Sequence, residues 1–461
     1  MIKKIKHIVT PLALAMALSG CMSLAPKYER PAAPVAAAFP DLGKATGEAA
    51  ANIAWQRFFA DARLKQLIEM SLANNRDLRV AILNIEQARA QYGVRRADLL
   101  PTLAATANGR RQTTGENLTS SSYAAGFGIS NFELDLFGRV RNLSEAALAQ
   151  FLATEEARKS TQISLVASVA NVYLALLADE DLMGIIQQTL ATREESQKLT
   201  KLKFDNGIVS RLDLEQANSL VETARVSLAA QQRRRALDAN LLTLLVGQPI
   251  PDTLPAGATL STTELADLPA GLPSDLLTVR PDIRAAEQQL IGANANIGAA
   301  RAAFFPRIAL TAAAGSASTE LSGLFKGGSF GWSFAPDIVL PIFDYGRNSA
   351  NLAGARASRD VAVAQYERSI QTAFREVSDA LAGQATFSEQ LRAQRAVAAA
   401  EAQRFKLSDL RYRSGASSYL DLLDAQRSLF QAQQSAVEAN LQRLQNQVTL
   451  YRVLGGGWTA P

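Results

Sequence analysis

Apolar residues recur at steps of three and four along two long stretches of this chain. Ile163, Val166, Ala170, Tyr173 and Leu177 form one series, and Val363, Tyr366, Ile370, Ala373 and Val377 form another. That spacing lays them along one face of a helix, packed in the manner of a coiled coil. Breakers are scarce in both stretches: no proline occurs from Thr102 to Gln248, nor from Ile342 to Ala460. Between Arg139 and Val246 only Gly184 and Gly207 interrupt, and between Arg347 and Leu454 only Gly354, Gly383 and Gly415. The pattern predicts a helix from Arg139 to Asn206, about 100 Å long at 1.5 Å per residue, that reverses at Gly207 into a second helix. Gly415 is the matching reversal in the second stretch. Shorter helices are expected at about Leu72–Leu99 and Pro281–Phe304. Stacked end to end, a shorter helix and a return helix would flank the long one over nearly its whole length.

Between the short and long helices the period changes from helical to alternating. Ser329–Phe343 sets Phe330, Trp332 and Phe334 against Gly331, Ser333 and Ala335, and Ser122–Phe137 puts Tyr123, Phe127 and Ile129 on one face. Pro101–Arg111 and Pro306–Ser316 are weaker candidates with small side chains throughout. Strands are therefore expected at about 101–112, 122–137, 306–317 and 329–343. Alternation over about ten residues, aromatic on one side, resembles the strands of outer-membrane barrels, so Phe330, Trp332 and Phe334 are expected against lipid. A soluble hairpin over a core is the alternative. Four strands cannot close a barrel, and open edges in lipid leave unpaired backbone groups at several kcal/mol each. Two copies of the chain would give eight strands and three would give twelve; eight-stranded barrels are filled by their own side chains, so a pore favours three. No apolar run long enough for a transmembrane helix follows the first twenty residues.

The two stretches are copies of one unit. Arg76–Ala107 echoes the chain from Arg280 onward, aligning Asp77 with Asp282 and Pro101 with Pro306; Gly138 and Arg139 match Gly346 and Arg347; and "FDNGIVSRLDLEQAN" (Phe204–Asn218) matches "YRSGASSYLDLLDAQ" (Tyr412–Gln426). The spacing stays between 205 and 208, as a tandem duplication leaves it. The second copy adds Asp424 where the first has Gln216. The chain thus divides into a signal peptide (1–20), a lipid-anchored tether (21–60), a first repeat (61–246), a proline-rich connector (247–280), a second repeat (281–454) and a tail (455–461).

Composition removes whole classes of chemistry. Lys3, Lys4 and Lys6 precede an apolar run, and "LSGC" closes it at Cys21, in the manner of a bacterial lipobox whose cysteine is lipidated; Met22 rather than an aspartate follows, as in outer-membrane sorting. Loss of those lysines takes the net charge from +5 to about +2, and no dense basic patch points to nucleic acid. Cys21 is the only cysteine and His7, in the signal, the only histidine. Histidine triads, thiol nucleophiles and histidine or thiolate metal sites are unavailable, so no catalytic residues, metal site or cofactor are expected beyond a covalent lipid on Cys21. Asp421 and Asp424 as a glycosidase-like acid–base pair is the remaining enzymatic reading, with no aromatic sugar site beside them.

The lipobox, "FELDLFGRVRN", "GANANIGAARAAFFPRI", "SGASSYLDLLDAQRSLF" and the terminal "LGGGW" together resemble the TolC-like outer-membrane efflux proteins, in particular the lipid-anchored OprM-type branch. The likeness runs in order through both repeats. It implies a mainly α fold with a membrane β-barrel: a homotrimer whose twelve-stranded barrel, four strands per chain, continues into a long periplasmic α-helical barrel with a mixed equatorial domain. It implies a passive exit duct in the outer membrane of a Gram-negative bacterium, engaged by a periplasmic membrane-fusion adaptor and an inner-membrane RND-type pump. A type I protein-secretion duct and a structural coiled-coil lipoprotein are the alternatives. By the same resemblance Asp421 and Asp424 form acidic rings at a periplasmic gate, and Asp213 and Tyr412 bond between hairpins to hold it shut. Ser417 stands where the family has a basic gate residue. Gly207, Ile208, Gly415 and Ala416 match the tips that meet the adaptor. Without the resemblance, Asp213 and Asp421 equally suit the first turn of a helix.

Overall fold

A computed structural model describes residues 23–36, 39, 50–113, 115, 119–266, 268 and 273–458, with the side chains of 273–275 excepted. The signal peptide, Cys21, part of the tether and residues 459–461 lie outside these. In chain order the elements are α1 (Trp55–Phe58), α2 (Ala62–Asn74), α3 (Arg76–Ala97), β1 (Leu103–Thr113), β2 (Thr119–Glu133), α4 (Arg139–Asp205), α5 (Arg211–Val246), α6 (Pro273–Val279), α7 (Pro281–Ala302), β3 (Arg307–Ser318), β4 (Phe330–Val339), α8 (Arg347–Arg413) and α9 (Tyr419–Val453). They fall into two compact units. One comprises Met1–Ala33, Leu83–Glu156 and Ala285–Arg368, and the other Pro34–Ile82, Ala157–Arg284 and Ser369–Pro461, in their described parts.

The first unit holds a four-stranded antiparallel sheet in the order β1-β2-β3-β4. Its register sets Ala105, Phe127, Ala314 and Trp332 in one row, and Leu103, Ile129, Ala312 and Phe334 in another. One face is therefore apolar and aromatic, and the other carries Thr106, Gly126, Gly128, Gly315 and Ser333. Phe330, Trp332 and Phe334 are 71%, 76% and 58% exposed, and every residue of β1 and β4 is exposed within the chain. A bulge in β2 between Ile129 and Phe132 puts Asn131 in the left-handed region, its N–H donating to Thr311 Oγ1. Below the bulge Glu133 takes both arms of Arg139 at 2.7 Å and Arg307 at 2.7 Å.

Residues 23–36, expected as a tether, form a strap on α7. Arg301, Asn294 and Glu287, spaced by seven residues, hold the Leu24 carbonyl, the Pro26 carbonyl, and Tyr28 together with Arg30. Ser23 donates to Asn142. Gly298 makes room: a Cβ there would lie 2.5 Å from Asn142 and 2.7 Å from the Ala25 nitrogen.

In the second unit the apolar stripe of α4 is core. Val166, Val169, Ala170, Tyr173 and Leu174 are at most 2% exposed, and the stretch of α4 apolar enough to cross a membrane is more than half buried inside the protein. On α8, Ile370, Ala373, Val377 and Ala380 are buried at alternating steps of three and four. The helix expected over Leu72–Leu99 breaks at Asn75. Its amide reaches the Leu245 carbonyl, its Oδ1 caps the Leu78 N–H, and Ser71 Oγ donates to the same Leu245 carbonyl. Gly247, at φ +78°, lets α5 end there, because a Cβ would stand 2.4 Å from the Asn74 carbonyl oxygen. The last helix closes on Tyr451, whose ring stacks on Phe58 at 4.0 Å and whose hydroxyl donates to the Ile53 carbonyl.

A valine at Gly126 or Gly315 would place its Cβ 2.4 or 2.3 Å from a neighbouring carbonyl oxygen, whereas nothing lies within 4 Å of a Cβ at Gly331. Gly126→Val and Gly315→Val are expected to destabilise the sheet by about 1–3 kcal/mol and Gly331→Val to be tolerated, read from thermal melts of the strand signal. Burial, with Asp238 facing it, pushes the Asp179 carboxyl up to about 6, despite a hydrogen bond from Gln231. A raised carboxyl pKa favours the folded state below the unfolded value of 3.8, and that contribution is lost as pH rises through about 6. Asp179→Asn should therefore flatten the decline of the urea midpoint across that window; an unchanged decline would assign it to other groups.

Candidate functional site

Both hairpin ends are built from one local recipe. Asp205 ends α4, and Gly207, at φ +74°, turns the chain while its N–H donates to the Phe204 carbonyl and that of Ile208 to the Lys203 carbonyl. Gly415, at φ +76°, does the same with Tyr412, and Ala416 with Arg411. These paired bonds satisfy the last carbonyls of each long helix, and the left-handed turn residue is glycine because a Cβ is disfavoured there. Three residues on, Ser210 and Ser418 start the return helices. Ser210 Oγ accepts the Asp213 N–H at 3.2 Å while Asp213 Oδ2 accepts the Ser210 N–H at 3.0 Å; Ser418 and Asp421 repeat this at 3.3 Å each way. The repeated glycine-and-aspartate phrase is thus a helix stop followed by a capping box. The tips themselves are open: Ile208 is 70% exposed, and Ala416 is exposed.

Behind the tips the four helices share one core. Ala217 and Leu220 of α5, Tyr412 of α8, and Tyr419, Leu422 and Leu423 of α9 are buried together, with Leu199 and Phe405 against them. Tyr412 and Tyr419 lie 5.4 Å apart between ring centres, and Lys203 Nζ sits 4.0 Å over the Tyr412 ring. The expected bond between Asp213 and Tyr412 is not made. Asp213 Oδ2 is engaged by the Ser210 N–H and hydroxyl, at 3.0 and 2.7 Å, and the buried Tyr412 hydroxyl makes no hydrogen bond. Asp213 Oδ2 serves the capping box, while Tyr412 is buried in the shared core. Ser417 likewise buries its hydroxyl without a partner.

Asp421 and Asp424 share an exposed face of α9, one turn apart. They differ in surroundings: Asp421 caps its own helix, while Asp424 is clamped by Arg404 of α8. Arg404 Nη1 lies 2.9 Å from Asp424 Oδ2, Nη2 donates to the Asp424 carbonyl, and Nε meets Glu401 at 2.7 Å. In the first repeat Ser196 and Gln216 stand at the matching positions, so the ion pair belongs to the second hairpin alone. Asp421, Asp424, Glu401 and Arg404 together leave two negative charges per chain on this face. Among the described residues no cluster of three or more histidine, cysteine or acidic side chains is disposed to hold a metal. Ser210, Ser418, Lys203 and Arg404 were not among the expected site residues. The Ser-x-x-Asp spacing announces the two serines, whereas the two basic residues act on partners across a helix interface.

The two caps are testable apart from the ion pair. Ser210→Ala and Ser418→Ala should each destabilise the tip by about 1 kcal/mol and speed amide exchange in the first turn of the following helix. Gln in place of Asp424 should leave that exchange near wild type. Equal exchange in all three variants would mean that the caps carry no weight.

The outer membrane efflux protein family model matches this chain twice, over residues 67–248 and 272–456. A toluene efflux pump outer membrane protein of Pseudomonas putida, TtgC, is 50% identical, over 98% of this chain and 96% of its own length. Outer membrane protein OprJ of Pseudomonas aeruginosa is 45% identical over 98% of this chain and 96% of its own. Of solved structures, the open state of the Neisseria gonorrhoeae MtrE outer membrane channel is similar at a TM-score of 0.89 and 43% identity, over 95% of this chain and 98% of that one.

Proposed function

The chain belongs to the outer membrane efflux protein family, and from that premise we propose that three copies close a twelve-stranded pore through which an efflux pump discharges small organic compounds. The outer membrane is its location and efflux its role. The observation that carries the three-copy reading is the sheet: one apolar, aromatic face, and two edge strands whose backbone groups are unpaired within the chain. In hydrocarbon each such group costs several kcal/mol, and a closed ring of sheets removes the cost. Three sheets leave an open bore where two would fill theirs with side chains.

The remaining parts of the proposal follow from the hairpins and the N-terminus. The exposed turns at Gly207–Ile208 and Gly415–Ala416 meet a periplasmic adaptor, and an inner-membrane RND-type pump supplies the energy. Cys21 carries a lipid that fastens the strap to the membrane. Three copies bring Asp421, and Asp424 with its Arg404, around the exit's inner end, where acidic rings favour cations. Small organic cargo is supported by the toluene efflux of a half-identical relative.

Planar-bilayer recordings of the purified protein test the reading. Conductance with cation preference is expected, and Asp421→Ala with Asp424→Ala should bring the reversal potential in a salt gradient close to that of an unselective pore. Arg404→Ala should move it the other way, because it adds one net negative charge to the face. Selectivity unaltered in both variants would take these residues out of the gate, and a protein that never conducts would remove the duct.

A further inference from the structure

We propose that the Ile342–Tyr345 corner of one copy packs on the Leu99–Leu100 corner of the next, making between copies the joint that Phe137 and Phe305 make within one. The proposal rests on the three-copy assembly and assigns its contact at residue level.

Two kinds of corner each occur twice in the first unit, once per repeat. Helix-to-strand corners follow α3 and α7, and their turns are the same: Leu99 and Leu100 donate to Arg96 and Ala97 at 3.2 and 3.0 Å, and Phe304 and Phe305 donate to Arg301 and Ala302 at 3.2 and 3.0 Å. Strand-to-helix corners follow β2 and β4, through Gly138 at φ +73° and Gly346 at φ +83°, with matching first helical bonds of 2.9 Å. One corner of each kind has found the other: the Phe137 ring stacks on Phe305 at 4.7 Å between centres and 21° between planes. That joint lies beside β2 and β3, which pair with each other. The two corners left over flank β4 and β1, the strands that lack a partner on one edge.

Both leftover corners are uncovered and apolar. Tyr345 is 90% exposed, Ile342 93%, Phe343 75% and Leu100 71%. Tyr345 also holds φ +56°, a left-handed conformation that a residue with a Cβ avoids, and its ring meets the neighbouring Phe343 ring at 4.6 Å. Its counterpart Phe137 is half-buried, stacked on Phe305. Pairing β4 with β1 of the next copy continues the β2–β3 pairing and carries Tyr345 to Leu100, as it carries Phe137 to Phe305. The occupant of the patch is therefore a second copy of this chain.

Cross-linking in the full chain decides. Tyr345→Cys combined with Leu100→Cys, treated with a short bismaleimide in membranes, is expected to give covalent dimers and trimers on denaturing gels. Each single variant should give none, which also controls for Cys21, and Phe137→Cys with Phe305→Cys should cross-link without forming a ladder. As a second readout, Tyr345→Lys and Leu100→Glu should each lower the native oligomer several-fold, and the two together should recover most of it. Assembled oligomers with no ladder and no recovery would overturn the joint while leaving the assembly intact. A wild-type chain that never assembles would instead remove the three-copy reading on which it rests.

Discussion

A β-strand in hydrocarbon has no water to satisfy its backbone, and this constraint governs the first unit. The chain brings four strands and leaves β1 and β4 open along one edge each. The apolar face, the facing glycines 126 and 315 that let β2 and β3 approach, and the bulge at Asn131 all serve a sheet that is one part of a larger closed surface. Within a single chain that surface is unfinished, which is why large aromatic side chains stand in the open on a sheet rich in alanine, glycine and serine.

The hairpin ends obey a different logic. Their turns are wholly local, each made from a glycine stop and a serine–aspartate cap, so duplication could copy them without loss. What distinguishes the second hairpin is the Arg404–Asp424 pair, which ties α8 to α9 where the first hairpin has serine and glutamine. The acidic face therefore carries its own cation, and its net charge is set by three carboxylates and a guanidinium rather than by two carboxylates alone.

How much of this could be read from the sequence depended on the range of the interaction. The long helices and their reversals were legible because spacing and the lack of breakers act locally. The strands were legible through the alternation of Phe330, Trp332 and Phe334 with small residues. The break at Asn75 was not, because the carbonyl that holds it belongs to Leu245, 170 residues away. The bond expected between Asp213 and Tyr412 is not made; what Asp213 does make is a local cap with Ser210, three residues off. Asp424 stood out as a difference between the copies, but its partner lies on another helix and left no mark in the local pattern.

The strap on α7 has a consequence in time rather than in space. Arg30 and Tyr28 close on Glu287, 257 and 259 residues later in the chain, and Arg301 holds Leu24 across 277. The strap is thus synthesised long before its seat on α7 exists. Along the first repeat Ile82 and Arg89 stand where α7 has Glu287 and Asn294, so α3 lacks two of the three side chains with which α7 seats the strap. Docking of the strap marks the arrival of the second repeat, so a chain cut short by proteolysis or arrested in synthesis carries a loose N-terminus and declares itself incomplete.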